Sequence, residues 1–112
     1  MSPVTHTPAT LDDLMRVDGK AELINGRIVH LMPNGDLAGT VSLEVAARLR
    51  DHVRKTGVGR AYADGVGFIP TGPVPSGRQS FCPDAAFMSN PPQTNRRKFV
   101  PDTPTFAVEV RS

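Results

Sequence analysis

The sequence is poor in large aromatic side chains, with no tryptophan, one tyrosine and five phenylalanines among 112 residues. Its single cysteine, Cys82, excludes both an intramolecular disulfide and a zinc cage built from cysteines. No run approaches the roughly 18 apolar residues of a membrane helix. The N-terminal residues also lack the basic start and apolar run of a signal peptide. We therefore expect a cytoplasmic protein with no membrane association and a thin supply of large core side chains.

Charge and composition give only broad guidance. Thirteen Lys and Arg against eleven Asp and Glu leave a net charge of +2, which permits a polyanionic partner without arguing for one. Ten glycines and eleven prolines indicate a loop-rich chain, still below the content of a disordered one. We expect a flexible tail over residues 1–9 and one small domain over residues 10–112.

Local signals predict the first elements. The run from Thr10 to Asp13 has the form of a capping box, so a short helix should begin there. The pair Asn25-Gly26 stands between two β-prone runs and predicts a two-residue hairpin turn, because both central residues must tolerate positive φ. In that register Glu22 and His30 lie on opposite faces. Both faces are largely apolar, so we expect the hairpin to be covered on both sides.

Hydrophobic spacing predicts the rest of the domain. The longest helix is expected over residues 40–56, where apolar residues recur every four positions, and Gly57 should end it. The positions of this stripe are Val41, Val45, Leu49 and Val53. Strands are expected over 60–70, 79–88 and 105–110, with a long proline-rich loop over 89–104. The order α-β-β-α-β-β-β favours an α/β fold, an α+β sandwich, over an all-β barrel.

Three acidic residues interrupt predicted strands that are otherwise apolar: Glu22, Asp84 and Glu109. An unpaired ionised carboxylate in such a strand is costly or becomes neutral. Convergence on a divalent cation would relieve that cost, and hard oxygen ligands suit Mg²⁺, which activates water and stabilises charge on a phosphodiester. The same acids also suit surface positions, or ion pairs with Arg27 or Arg111. Spacing alone does not separate these interpretations.

Three segments in this order resemble the Uma-type restriction endonuclease family of the PD-(D/E)xK nuclease superfamily. They are residues 22–29, 83–87 and 107–112, which look like the family patterns ELI-[D/N]-G, PD-x-x-F and VEV-x-S. The ordered set is specific although no single motif is, and it covers residues 10–112. The resemblance implies a restriction-endonuclease-like core with a mixed β-sheet flanked by helices. It also implies Mg²⁺ (with Mn²⁺ as a substitute) held by Glu22, Asp84 and Glu109, and hydrolysis of DNA by metal-activated water.

The sequence departs from the family pattern in two ways. Members of the superfamily generally carry a lysine two residues after the second acid; here that position is Arg111, which stabilises an anion but cannot act as a base. Related chains carry a lysine on a later helix and are longer, so we expect this sequence to be truncated. An inactive nuclease-fold remnant that binds DNA or protein is therefore the alternative. A third interpretation is a structural subunit, such as a homodimer that pairs through the final strand.

Two basic segments have a phosphate-binding interpretation. One lies on the long helix and includes Arg48, Arg50 and Arg54; the other is the run Arg96-Arg97-Lys98 in the proline-rich loop. Such residues more often form the solvated face of an amphipathic helix. The loop run has no interleaved aromatic residues on which bases could stack.

Overall fold

The computed structural model describes residues 7–93 and 95–111, so most of the predicted flexible tail (residues 1–6) lies outside the described residues. The described chain has the predicted order α-β-β-α-β-β-β. Its elements are α1 (Leu11–Met15), β1 (Ala21–Ile24), β2 (Arg27–His30), α2 (Asp36–Thr56), β3 (Arg60–Tyr62), β4 (Ala85–Met88) and β5 (Phe106–Val108). Neither α1 nor α2, the helices of the described part, is long and apolar enough to cross a membrane.

The capping box and the hairpin form as predicted. Asp13 N–H donates to Thr10 Oγ1 (3.2 Å), and Thr10 N–H donates back to Asp13 Oδ2 (2.8 Å). In the hairpin Ile24 pairs with Arg27, and Asn25 (φ 49°) and Gly26 (φ 74°) form the turn. Local chemistry therefore determines both features.

The expectation that the hairpin is covered on both sides is wrong for β2. Glu22 and Leu23 of β1 are buried, whereas Val29 of β2 remains 39% exposed, and Met32 just beyond it 84%. The reason is that the segment 78–82 packs along the free edge of β1. Ile24 makes an antiparallel bridge to Arg78, and β2 has no such neighbour among the described residues.

The second sheet has the order β3-β4-β5, with both strand pairs antiparallel, and α2 packs on β3 and β4. Helix α2 begins at Asp36, earlier than predicted, and ends at Gly57, whose φ is 71°. Three residues of the predicted stripe, Val45, Leu49 and Val53, are partly buried, and the prediction fails at Val41. Ala38 and Ser42 are the buried positions of α2, whereas Val41 is 40% exposed. Small residues let the helix approach the sheet closely, and the larger valine lies at the edge of the contact.

The strands after α2 are shorter than predicted, because the chain between them pairs only at single residues. Phe68 makes an antiparallel bridge to Phe81 and a parallel bridge to Val100, so the mixed character predicted for the sheet is confined to this point in the described chain. Phe68, Ala86 and Met88 form the buried cluster around which the rest packs. The core thus lies on the face of β4 opposite α2.

Candidate acidic site

Backbone pairing of β1 with the segment 78–82 brings the first two predicted acids together in space. The amide of Leu23 donates to Ser80 Oγ (2.8 Å), and its carbonyl accepts from the amides of Gln79 (2.8 Å) and Ser80 (3.2 Å). This pairing holds Glu22 beside the segment that leads to Asp84. Long-range pairing between remote parts of the chain therefore builds the site.

Glu22 is buried, and both of its carboxylate oxygens have partners. Glu22 is only 3% exposed. Its Oε2 accepts from the amide of Cys82 (2.7 Å), and its Oε1 lies 3.5 Å from Arg78 Nε. The ion-pair partner is therefore Arg78, rather than the Arg27 or Arg111 considered from the sequence. These contacts offset the cost of burying the charge.

Asp84 is equally buried, and three donors surround it. Its Oδ2 accepts from the amide of Val110 (2.6 Å), while its Oδ1 accepts from Lys20 Nζ (3.2 Å) and Asn34 Nδ2 (3.3 Å). Burial raises the pKa of Asp84, but the Val110 amide, Lys20 and Asn34 outweigh it, so the pKa lies below its usual value. Asp84 is thus an ionised carboxylate held in a fixed orientation.

A second aspartate shares the donors of Asp84. Lys20 Nζ lies 2.7 Å from Asp64 Oδ1, and Asn34 Nδ2 donates to Asp64 Oδ2 (3.0 Å). Burial lowers the pKa of Lys20, but its hydrogen bonds and charge attraction to Asp64 and Asp84 prevail and raise it overall. The sequence analysis missed Lys20, Asn34 and Asp64, because a polar residue in a loop carries no signal until the fold gives it a partner.

Glu109 and Arg111 follow β5 and are both exposed. Even so, partial burial of the Glu109 carboxyl raises its pKa, and the negative charges of Asp84 and Glu22 raise it further against the opposing effect of Lys20 and Arg78. All three predicted acids therefore share one electrostatic neighbourhood. Arg111 stays a predicted participant.

The donor chemistry of this neighbourhood suits a hard cation. Within residues 7–93 and 95–111, no group of three or more His, Cys, Asp or Glu side chains lies close enough to hold one metal ion. Mg²⁺ nevertheless commonly takes one or two carboxylates and completes its shell with water and phosphate oxygens. Cys82 supplies no ligand in its ordinary state, because burial raises the pKa of its thiol to about 11. Magnesium ligation by Glu22, Asp84 and Glu109 stays a prediction.

These elements define a restriction-endonuclease-like fold: a hairpin, a long helix and an antiparallel sheet, with the acidic site beside them. A crystal structure titled as a putative nuclease belonging to DUF820, from Anabaena variabilis, matches the chain with a TM-score of 0.65 and 18% sequence identity. The match covers 94% of this chain and 59% of that one, so this chain spans about three fifths of that protein's length. No curated protein matches the chain.

A family model identifies the protein family. The Uma2 model, described as putative restriction endonuclease, matches residues 9–112. The chain therefore belongs to the Uma2 family. This confirms the resemblance found in the three sequence segments, and the solved structure confirms the expected fold.

Proposed function

We propose that this chain carries the metal-binding acids of a Mg²⁺-dependent endonuclease that hydrolyses DNA phosphodiesters. The observation that supports the proposal is the burial of two hydrogen-bonded carboxylates, Glu22 and Asp84, with the exposed carboxyl of Glu109 in their electrostatic surroundings. Membership of the Uma2 family supports the reaction class. DNA as substrate and Mg²⁺ as cofactor are the proposed specifics.

Glu22, Asp84 and Glu109 would hold the cation. Once bound, a divalent cation supplies activated water and stabilises charge on the phosphate group. The chain itself fixes the ligands: the amide of Val110 orients Asp84, and the amide of Cys82 orients Glu22. Lys20 supplies a positive charge next to Asp84, and the exposed Arg111 would attract an anionic substrate.

A metal titration tests the proposal directly. The melting temperature of the chain should rise by several degrees in millimolar Mg²⁺ or Mn²⁺, because binding to the native state alone stabilises it. Asp84→Asn should remove this rise and lower metal-dependent nicking of supercoiled plasmid at least about 100-fold.

Asp51→Asn is the matched control, since Asp51 is exposed on α2 and its nearest cation, Arg50, is 3.9 Å away. This variant should keep both the metal-dependent rise in melting temperature and the nicking. Absence of stabilisation by either metal in the unmodified chain would overturn the proposal.

One observation favours the alternative, an inactive nuclease-fold module that binds DNA. Lys20, Asn34 and the amide of Val110 already satisfy both oxygens of Asp84 without a metal ion. Such a module would retain DNA at low salt and leave it intact even with Mn²⁺. Plasmid nicking that disappears in Asp84→Asn would exclude it.

A further inference from the structure

A second site of different chemistry lies between β3 and the proline-rich loop. It is a cavity of about 190 Å³ between the strand and a loop wall formed by Pro92 and by residues from 95 to 101. The side chains that matter for its chemistry are Arg60 and Tyr62 from β3, and Asn95, Arg96, Lys98 and Phe99 from the loop. Three cations and two aromatic rings therefore surround one small cavity.

The three cations of this cavity are free to meet a ligand. Within the described ranges 7–93 and 95–111, none of Arg60, Arg96 and Lys98 has a carboxylate at ion-pair distance. The described ion pairs involve Arg16, Lys20, Arg48, Arg50 and Arg78 instead. Arg60 Nη1 lies 3.4 Å from the Tyr62 hydroxyl, a neutral partner. The positive charge here is therefore uncompensated, which favours an anionic ligand.

The two aromatic rings are fixed by the core beneath them. Tyr62 meets Phe68 edge-to-face with ring centroids 5.2 Å apart. Phe99 lies on the backbone of Gly67, where an added Cβ would come within 2.9 Å of the Phe99 ring. Both Tyr62 and Phe99 remain half-buried, so each presents part of a ring to the cavity. Preorganised aromatic rings beside cations are the elements that bind single-stranded nucleic acid.

Two residues that line the cavity, Arg60 and Tyr62, pair with residues of the core cluster. Tyr62 pairs with Ala86 and Arg60 with Met88. Asp84 precedes Ala86 by two residues, a separation of roughly 7 Å along an extended chain. A polymer bound at one site would therefore pass close to the other.

We propose that this cavity binds one unpaired nucleotide of a single DNA strand, with its base against Tyr62 and Phe99 and its phosphate among Arg60, Arg96 and Lys98. Its volume is below the roughly 300 Å³ typical of sites that enclose a whole small molecule, so it suits one unit of a polymer. DNA as the polymer rests on the proposed function. Binding itself requires neither a metal ion nor hydrolysis.

Binding of a labelled single-stranded oligothymidylate, measured by fluorescence anisotropy in EDTA, tests this assignment. The double variant Arg96→Ala/Lys98→Ala should weaken binding about 10-fold or more. It should also reduce the salt slope by up to about 0.7, the contribution of one phosphate contact on a single strand. A duplex of the same length should bind more weakly to the unmodified chain, because paired bases cannot stack on the rings.

Arg16→Ala/Arg27→Ala is the matched control, because it removes the same charge from exposed positions outside both basic segments. This variant should stay within about two-fold of the unmodified chain. Equal losses in the two double variants would show unspecific charge attraction and overturn the proposal. Equal affinity for duplex and single strand, or no binding at all, would overturn it as well.

Tyr62 provides a local reporter, since it is the only tyrosine and the chain has no tryptophan. Tyrosine emission, corrected for absorbance by the oligonucleotide, should fall on binding and stay unchanged if the DNA binds elsewhere. Asp84→Asn separates this inference from the proposed function, because it should abolish nicking and leave oligonucleotide binding intact. Loss of nicking in that variant, with unchanged binding in Arg96→Ala/Lys98→Ala, would overturn the cavity assignment alone.

Discussion

The acidic site around Glu22 and Asp84 and the basic cavity differ in whether their charged side chains have partners. Glu22 and Asp84 are buried, and each of their oxygens has a hydrogen-bond or ion-pair partner. Among the described residues no buried side-chain N or O atom lacks a partner. Around the cavity, Arg96 and Lys98 are exposed and lack a described carboxylate partner. Folding therefore requires pairing where charge is buried, whereas exposed cations can remain available for a ligand.

Breaking the pairing at the acidic site should give the largest change in stability. Lys20→Met leaves Asp84 with only the Val110 amide and Asn34, so the free energy of unfolding in EDTA should fall by about 2 kcal/mol. Urea denaturation measures this loss. Lys55→Met, at an exposed position of α2, is the control and should stay within about 0.5 kcal/mol of the unmodified chain.

A double-mutant cycle checks that the loss arises from the Lys20–Asp84 pair. In an Asp84→Asn background, Lys20→Met should cost less than about 1 kcal/mol, because the remaining partner, Asp64, is 37% exposed. An equal cost in both backgrounds would assign the effect to lost packing of the lysine stem.

The pH dependence of stability tests whether Asp84 is ionised and hydrogen-bonded in the native state. The pKa of Asp84 lies below its ordinary value of 3.8, so the unfolded state takes up the proton first as the pH falls. Its contribution to stability is therefore complete well above pH 3.8 and is lost as the pH falls through the lower native pKa. Urea unfolding in EDTA between pH 7 and pH 3 should show a steeper loss for the unmodified chain than for Asp84→Asn.

Asp13 serves as an internal reference in that experiment. Its pKa is lowered by its backbone and side-chain hydrogen bonds to Thr10. Asp13 therefore contributes a loss of stability at low pH in both the unmodified chain and Asp84→Asn. Identical pH profiles for the unmodified chain and Asp84→Asn would contradict the assignment of an ionised, hydrogen-bonded Asp84.

The smallest effect on stability is expected at the basic cavity. Arg96→Ala/Lys98→Ala removes two exposed charges that have no described ion-pair partner, so stability should change by less than about 0.5 kcal/mol. Thermal and urea unfolding measure it in the absence of DNA. A loss comparable to that of Lys20→Met would show that these cations serve the fold and would remove the contrast between the two regions.

Sequence reasoning succeeded where a few neighbouring residues control the conformation. The capping box at Thr10, the turn at Asn25-Gly26 and the end of α2 at Gly57 each depend on contacts within a few positions. The three acids were found because a carboxylate is unusual in an apolar strand. Their common neighbourhood became visible only when β1 paired with residues 78–82.

Sequence reasoning failed where the answer depended on which distant surface covers a segment. The burial of α2 was misjudged at Val41, because residues repeated every four positions fit several rotations about the axis. Lys20 and Arg78 were not identified as partners of the acids, since a charged residue in a loop has many candidate partners along the chain. Tyr62 was not associated with the basic loop for the same reason, whereas Phe99 directly follows Lys98 and was overlooked.

The amino-acid order by itself determined the succession of elements, the hairpin register and the identity of the unusual acids, because these follow from side-chain chemistry over short spans. Only the tertiary structure decided which charged side chains form ion pairs and which lie beside aromatic rings without a described carboxylate partner. Electrostatic attraction and stacking act through space, and the pairing of segments 50 to 60 residues apart is set by packing of the whole core around Phe68.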